Sequence, residues 1–216
     1  MSKLWGLQSV WNGDETVFDS LKSLDKVCDN IIILENKWVG YEGSIRSTDN
    51  TISEIHRFIK EAKSKVELIQ LTIELHQFEA RNILVSKVPL NNYFLVLDSD
   101  EIIMKFPTKD RLQELINEWD KLNIKGLCIY SYDEVQGDYI GEGGLMDLPK
   151  IMKRVKELYM TENHRYYNIG SEPVIYNTKD FPACRDFCFM HKGAFKKTRK
   201  QAEDYKNWLI NFEPHP

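Results

Sequence analysis

Apolar residues fall along this chain in two alternating rhythms. Short continuous runs rich in β-branched and aromatic residues read as strands buried on both faces. Between them, apolar residues recur every three or four positions, the spacing of helices with one buried face. Leu4 to Trp11 is the first run, broken by Asn12-Gly13-Asp14, with Asp14 placed to cap the next helix. Val17, Leu21, Leu24 and Cys28, with Phe18 beside them, give that helix its inner face. Ile31-Ile32-Ile33-Leu34 predicts a central parallel strand, so the chain opens with a βαβ unit. Ser47-Thr48-Asp49-Asn50-Thr51 starts a second helix that buries Ile52, Ile55, Ile59 and Ala62, with Phe58 adjoining. Val66 to Leu71 predicts a third strand, and His76 to Lys87 a third helix. Pro89 ends that helix, and Asn91-Asn92 turns into Tyr93-Phe94-Leu95-Val96-Leu97. Pro107-Thr108-Lys109-Asp110 heads a further helix with Leu112, Leu115, Ile116 and Trp119 inward, and Gly126 to Tyr130 predicts a fifth strand. Strands alternating with helices place the chain in the α/β class.

The Tyr93–Leu97 run ends directly in Asp98-Ser99-Asp100-Glu101. In open α/β sheets the ligand crevice lies just beyond the carboxyl ends of the strands. Carboxylates gathered there suit a hard divalent cation, Mg²⁺ or Mn²⁺, which completes its coordination with substrate phosphates. Glu35 ends the second strand on the same side, either as an exposed acid or as an acceptor for a base or ribose. The long stretch from Asn36 to Ser47 holds Trp38, Gly40, Tyr41 and Gly43, whose aromatic rings either cover a base or pack on the surface.

Composition narrows the field. At 216 residues, 42% hydrophobic and 29% charged, the chain suits one soluble domain with a sizeable core. A net charge of −4 argues against a general nucleic-acid binder. No run reaches the ~18 apolar residues of a transmembrane helix. The start, Met1-Ser2-Lys3-Leu4-Trp5-Gly6, is too short and too polar-flanked for a signal peptide. Cys28, Cys128, Cys184 and Cys188 are expected as reduced thiols of a cytoplasmic protein. Cys184, Cys188 and His191 have no second ligand pair at zinc spacing.

Four segments together carry a family resemblance. They are the opening strand with Trp11-Asn12-Gly13-Asp14-Glu15, the second strand followed by Ser47-Thr48-Asp49-Asn50-Thr51, Ala80-Arg81-Asn82 in the third helix, and Leu97-Asp98-Ser99-Asp100-Glu101. In this order, over residues 4–104, they resemble family 2-type glycosyltransferases, with the last segment matching the Asp-x-Asp motif. The resemblance implies a single domain of glycosyltransferase-A fold over residues 1–216, a Rossmann-like mixed sheet with helices on both faces. Residues 1–104 would be its nucleotide-sugar half and residues 105–216 its acceptor half. It also implies a nucleoside-diphosphate sugar donor and Mn²⁺ or Mg²⁺. Trp11, Asn12, Glu35, Asp49, Arg81, Asp98, Ser99 and Asp100 would line the donor site, with Glu35 or Asp49 facing the nucleoside. Asp98, Asp100 and the late-chain His191 would serve the metal. Asp98 would reach it through water or meet the ribose, Asp100 would bind it directly, and Glu101 would turn back to hold the loop. One departure stands out: residues 37–47 intervene before the Ser/Thr-Asp segment, which many members carry at once.

The rest of the chain is the acceptor side. Asp133-Glu134 leads into an acidic stretch with Gly137, Gly141, Gly143 and Gly144, either a solvated linker or a loop that orders over donor and acceptor. If the reaction inverts configuration, as the resemblance implies, the base comes from Asp133, Glu134, Glu142 or Asp147. The resemblance makes Ile151-Met152-Lys153-Arg154 a strand against its composition, and the fifth strand antiparallel or at an edge. His164 reads as structural or on the surface, while the resemblance implies a His near the acceptor at this place. Lys192, with Lys196, Lys197, Arg199 and Lys200, forms either a solvated face or an attraction for the leaving diphosphate. Tyr205, Trp208, Leu209, Ile210 and Phe212 predict a terminal helix on the sheet or a peripheral membrane contact. The acceptor is a glycan, a protein or a lipid. Rival readings are a haloacid-dehalogenase-type phosphatase, a nucleotidyltransferase, or an inactive nucleotide-sugar-binding module. The first carries its acid pair on the first strand and the second a Gly-rich phosphate loop there; neither feature is present.

Overall fold

Leu4–Val10 forms β1 and Asn30–Trp38 forms β2, parallel, with Leu7 opposite Ile32 and Val10 opposite Glu35. The structure is a computed structural model that describes residues 2–135, 138–140, 150–161, 167–173 and 183–191. Between β1 and β2 runs α1 (Val17–Leu24); α2 (Thr51–Glu61) leads to β3 (Lys65–Leu75), and α3 (Gln77–Lys87) leads to β4 (Tyr93–Val96). After β4 come β5 (Glu101–Lys105), α4 (Lys109–Lys121), β6 (Gly126–Val135), β7 (Asp138–Ile140) and β8 (Ile151–Lys153). Short strands β9 (Leu158–Met160), β10 (Tyr167–Ile169) and β11 (Glu172–Pro173) make a separate sheet, and β12 (Ala183–His191) rejoins the main one.

The main sheet runs β3-β2-β1-β4-β8-β6-β12-β5, with β7 beside β6. Strands β1 to β4 are mutually parallel, β8 is antiparallel to both neighbours, and β5 is antiparallel to β12. The period-two alternation of strand side chains divides the core. Leu4, Val10, Ile31, Ile33, Tyr93 and Leu95 pack with α1, α2 and α4. Leu7, Ile32, Leu34, Phe94 and Val96 point the other way, onto α3 and the small sheet. Helices therefore cover both faces of a mixed sheet, and the four-residue run of β2 is buried on both sides because it has a layer on each. Full burial of each such side chain contributes about 1.5–3 kcal/mol. Gly6 lets α1 approach β1, since a Cβ there would lie 3.2 Å from Cys28 Sγ and from Leu24.

Several expectations hold. Val17, Leu21, Leu24 and Cys28 are buried, as are Leu112, Leu115, Ile116 and Trp119. Residues 151–153 are strand, as expected against their composition. Others need correction. Helix α1 starts at Val17 with Thr16 at its cap, so Asp14 caps nothing. The fifth predicted strand, β6, is antiparallel to β8, one of the two expected placements, but it is interior and not at an edge, with β12 parallel on its other side. Residues 101–105 add a strand that their flanking charges concealed. All four cysteines are buried free thiols. Among the described residues no group of three or more His, Cys, Asp or Glu is placed to hold a metal, and no helix is long and apolar enough to cross a membrane. Glu142, Asp147, His164, Lys192, the basic cluster and the terminal aromatic segment lie outside the described residues.

Candidate active site

The strand order places the crevice. From β1 the chain moves outward through β2 and β3, then returns to lay β4 on the other side of β1. That reversal is a topological switch point, the place where open α/β sheets form their ligand crevice. The loops that meet there are residues 11–14 after β1 and residues 97–100 after β4. They touch: a Cβ on Gly13 would lie 3.2 Å from Ser99 Oγ, and 2.9 Å from Val10 Cγ2, where a side chain would have to shift.

The acid turn is fixed from several directions. The Asp98 amide donates to Glu101 Oε2 at 2.9 Å, and the Glu101 amide donates to the Asp98 carbonyl at 3.0 Å. That carbonyl also accepts from Ser20 Oγ at 3.2 Å and Gln8 Nε2 at 3.4 Å. Arg81 of α3 sends Nη2 to both carboxylate oxygens of Asp98, at 2.8 and 3.1 Å. Burial alone would lower the Arg81 pKa, but Asp98 outweighs it and holds the guanidinium above its ordinary value. Glu101 turns back into the protein, as expected, and meets Lys150 Nζ at 2.7 and 2.8 Å. Burial pushes its carboxyl above the usual range, against the pull of Lys150. Ser99 and Asp100 stand half-buried at the apex.

A lacing of hydrogen bonds joins the first loop to the start of α2. Asn12 holds a left-handed φ of 49°, donates its amide to Ser47 Oγ and accepts from the Thr48 amide. The Gly13 amide donates to Thr51 Oγ1 at 2.7 Å, and the Asp14 amide to Asp49 Oδ2 at 3.4 Å. Asp49 Oδ1 accepts from both the amide and the hydroxyl of Thr51. Glu35 is fully buried, and Arg46 with the amide and hydroxyl of Ser47 engage its two oxygens. These bonds make Glu35 the tether for the far end of the 37–47 insertion. Trp11 Nε1 donates to the Ser44 carbonyl, and its ring meets Tyr41 edge-on at 6.0 Å.

Asp49 carries a pH signature. Burial disfavours its charged form, yet the bonds from Thr51 and Asp14 outweigh that and hold its carboxyl below the usual range. A group with a depressed folded pKa contributes stability present above its unfolded pKa, about 3.9, and lost as pH falls through the folded value. Asp49→Asn should therefore be less stable than the parent at neutral pH, with the gap closing below the ordinary carboxylate range. Urea melts of both proteins across the acid limb check this; a gap that stays constant would rule it out.

Backbone register brings two further predicted residues to the same edge. His191 lies opposite Glu101 on β5 and opposite Asp133 on β6. Partners across such ladders have Cα atoms roughly 5 Å apart. Glu134 follows Asp133 at the carboxyl end of β6. Sequence reasoning missed Lys150, Gln8, Ser20 and Thr51. A buried acid one place after the motif needed a cation, and that need was the available signal for Lys150.

No protein-family model matches the sequence, and no curated protein matches it. Solved structures do share its fold. S. aureus TarS, residues 1–349, superposes with a TM-score of 0.59 at 14% identity, over 88% of this chain and 60% of that one. The same TarS segment in complex with UDP gives 0.56 at 14% identity, over 87% and 60%. GalNAc-T7 with UDP, GalNAc and Mn²⁺ gives 0.50 at 9% identity, over 97% and 48%. The chain has the glycosyltransferase-A fold, and it spans about 60% of the TarS segment that it resembles.

Proposed function

We propose that this chain is a metal-dependent glycosyltransferase that moves a sugar from a nucleoside-diphosphate sugar to an acceptor hydroxyl with inversion. The observation that carries this reading is the convergence at one switch point of the acid turn, the Trp11–Asp14 loop and the carboxyl ends of β6 and β12. Two carboxylates suit a hard cation that takes the rest of its shell from substrate phosphates. Asp98 is braced by Arg81, Asp100 stands next to it at the apex, and His191 lies on the strand paired with this turn. Asp100 and His191 would hold Mn²⁺ or Mg²⁺, with Asp98 beside them. The bound ion supplies Lewis-acid neutralisation of charge on the departing diphosphate. Trp11 and Asn12 would line the nucleoside side, and Lys192 would meet the diphosphate. A carboxylate takes the proton of the acceptor hydroxyl. Asp133 is the first candidate for that base because its backbone sits beside His191; Glu134, Glu142 and Asp147 follow. The acceptor is a glycan, protein or lipid, and the setting we propose is cytoplasmic, with peripheral membrane contact where the acceptor is a lipid.

The UDP complexes of TarS and GalNAc-T7 make uridine diphosphate the first nucleotide to try. A ligand at a hundred times its Kd stabilises the folded state by about 2.7 kcal/mol. Thermal melts with UDP and other nucleoside diphosphates should thus shift by several degrees when Mn²⁺ is present, and little without it. Melts unmoved by every nucleoside diphosphate, with or without metal, would overturn the reading.

A further inference from the structure

Lys150 opens β8's approach to the sheet, far in sequence from the acid turn, yet its side chain is committed to that turn. Its Nζ contacts both oxygens of Glu101, at 2.8 and 2.7 Å, with both side chains largely buried at 12% and 6% exposure. It also lies 4.9 Å from the centre of the Phe189 ring. Its own carbonyl accepts the Val96 amide at 3.1 Å, on the strand that delivers the acids. Glu101 in turn receives the Asp98 amide. One lysine therefore grips the turn twice, by backbone at Val96 and by side chain at Glu101. Without that cation the Glu101 carboxylate, wherever it stays ionised, is a buried, uncompensated charge that turning out to water relieves. The Asp98 amide would then lose its acceptor and the Asp98–Asp100 geometry its brace.

We propose that Lys150 is a positioning residue for the acid turn, acting through Glu101 to set the affinity of Asp98 and Asp100 for a divalent cation and the nucleotide diphosphate it accompanies. This deepens the function proposed above and rests on it. Groups that orient metal-binding carboxylates without touching the ion typically change metal affinity by about 10–100-fold when removed.

The test compares the full chain with Lys150→Met, Lys150→Arg, Glu101→Gln and the Lys150→Met/Glu101→Gln double variant. The first readout needs no ligand: amide hydrogen exchange at Asp98. Exchange there should quicken in Lys150→Met and return toward the parent rate in the double variant, where a neutral amide still accepts the bond. The second is the Mn²⁺ concentration that half-saturates UDP binding. It should rise at least about tenfold in Lys150→Met, recover in Lys150→Arg, and be insensitive to Lys150→Met in the Glu101→Gln background. An unchanged Asp98 exchange rate, or a Mn²⁺ requirement that rises equally in both backgrounds, overturns the proposal. A parent protein that binds no nucleotide with metal overturns the functional reading, and with it the metal part of this inference. The exchange result then still decides whether Lys150 braces the turn.

Discussion

Asp100→Asn is expected to weaken Mn²⁺-dependent nucleotide binding by at least about a hundredfold while leaving the fold intact. Asp100 is half-exposed at the apex of a turn that Glu101, Ser20 and Gln8 help to fix, so the change should cost less stability than the loss of a buried partner. Asp98→Asn should behave differently. It removes the anion facing Arg81, so it should lower the melting temperature as well as binding. Titration of UDP in saturating Mn²⁺, paired with thermal melts of both variants, separates the two roles. Unaltered UDP affinity in Asp100→Asn would remove Asp100 from the metal site.

The second large effect belongs to Arg81. Its guanidinium is nearly buried, and both Asp98 oxygens face one of its nitrogens. Arg81→Met should cost about 3 kcal/mol, the lower end for breaking a buried pair, because Asp98 keeps some access to water. In a domain of this size that is a fall of roughly 6–12 °C in melting temperature. Arg81→Lys should recover little, since an ammonium is a compact, strongly hydrated point charge that does not reproduce the guanidinium's geometry. Arg81→Met/Asp98→Asn should recover part of the loss by deleting the stranded charge. Calorimetric melts of the three variants test this, and an Arg81→Met protein that melts with the parent would show the pair to be incidental.

How much of this was readable in advance depends on what each feature rests on. Local rhythm was enough for α1, α4 and the buried run of β2, because burial on one or two faces leaves a period in the sequence. Acids at the end of β4 were legible as a strand end, and they pointed to a site only together with the three other segments, because an acidic strand end alone has many causes. Pairing was not legible. Residues 101–105 are a strand only because β12, some ninety residues later, offers them a ladder. Gly126 to Val135 is interior only because β12 closes on its far side. Glu35 shows the same limit within the site. Its position was evident, but its task was set by Arg46 and Ser47, brought back by an insertion whose path no local pattern records. Arg81 was visible as part of a motif, whereas its bond to Asp98 is a fact of tertiary packing.

The lacing between the first loop and α2 has a thermodynamic consequence. The amides of Asn12, Gly13, Asp14, Ser47, Thr48 and Thr51 all donate to acceptors within the protein. A molecule entering this side of the site finds no spare main-chain donor among these six. It also finds a wall that is already ordered. Association with this wall should therefore carry a small entropy penalty and a heat-capacity change set by the surface covered, not by segments folding.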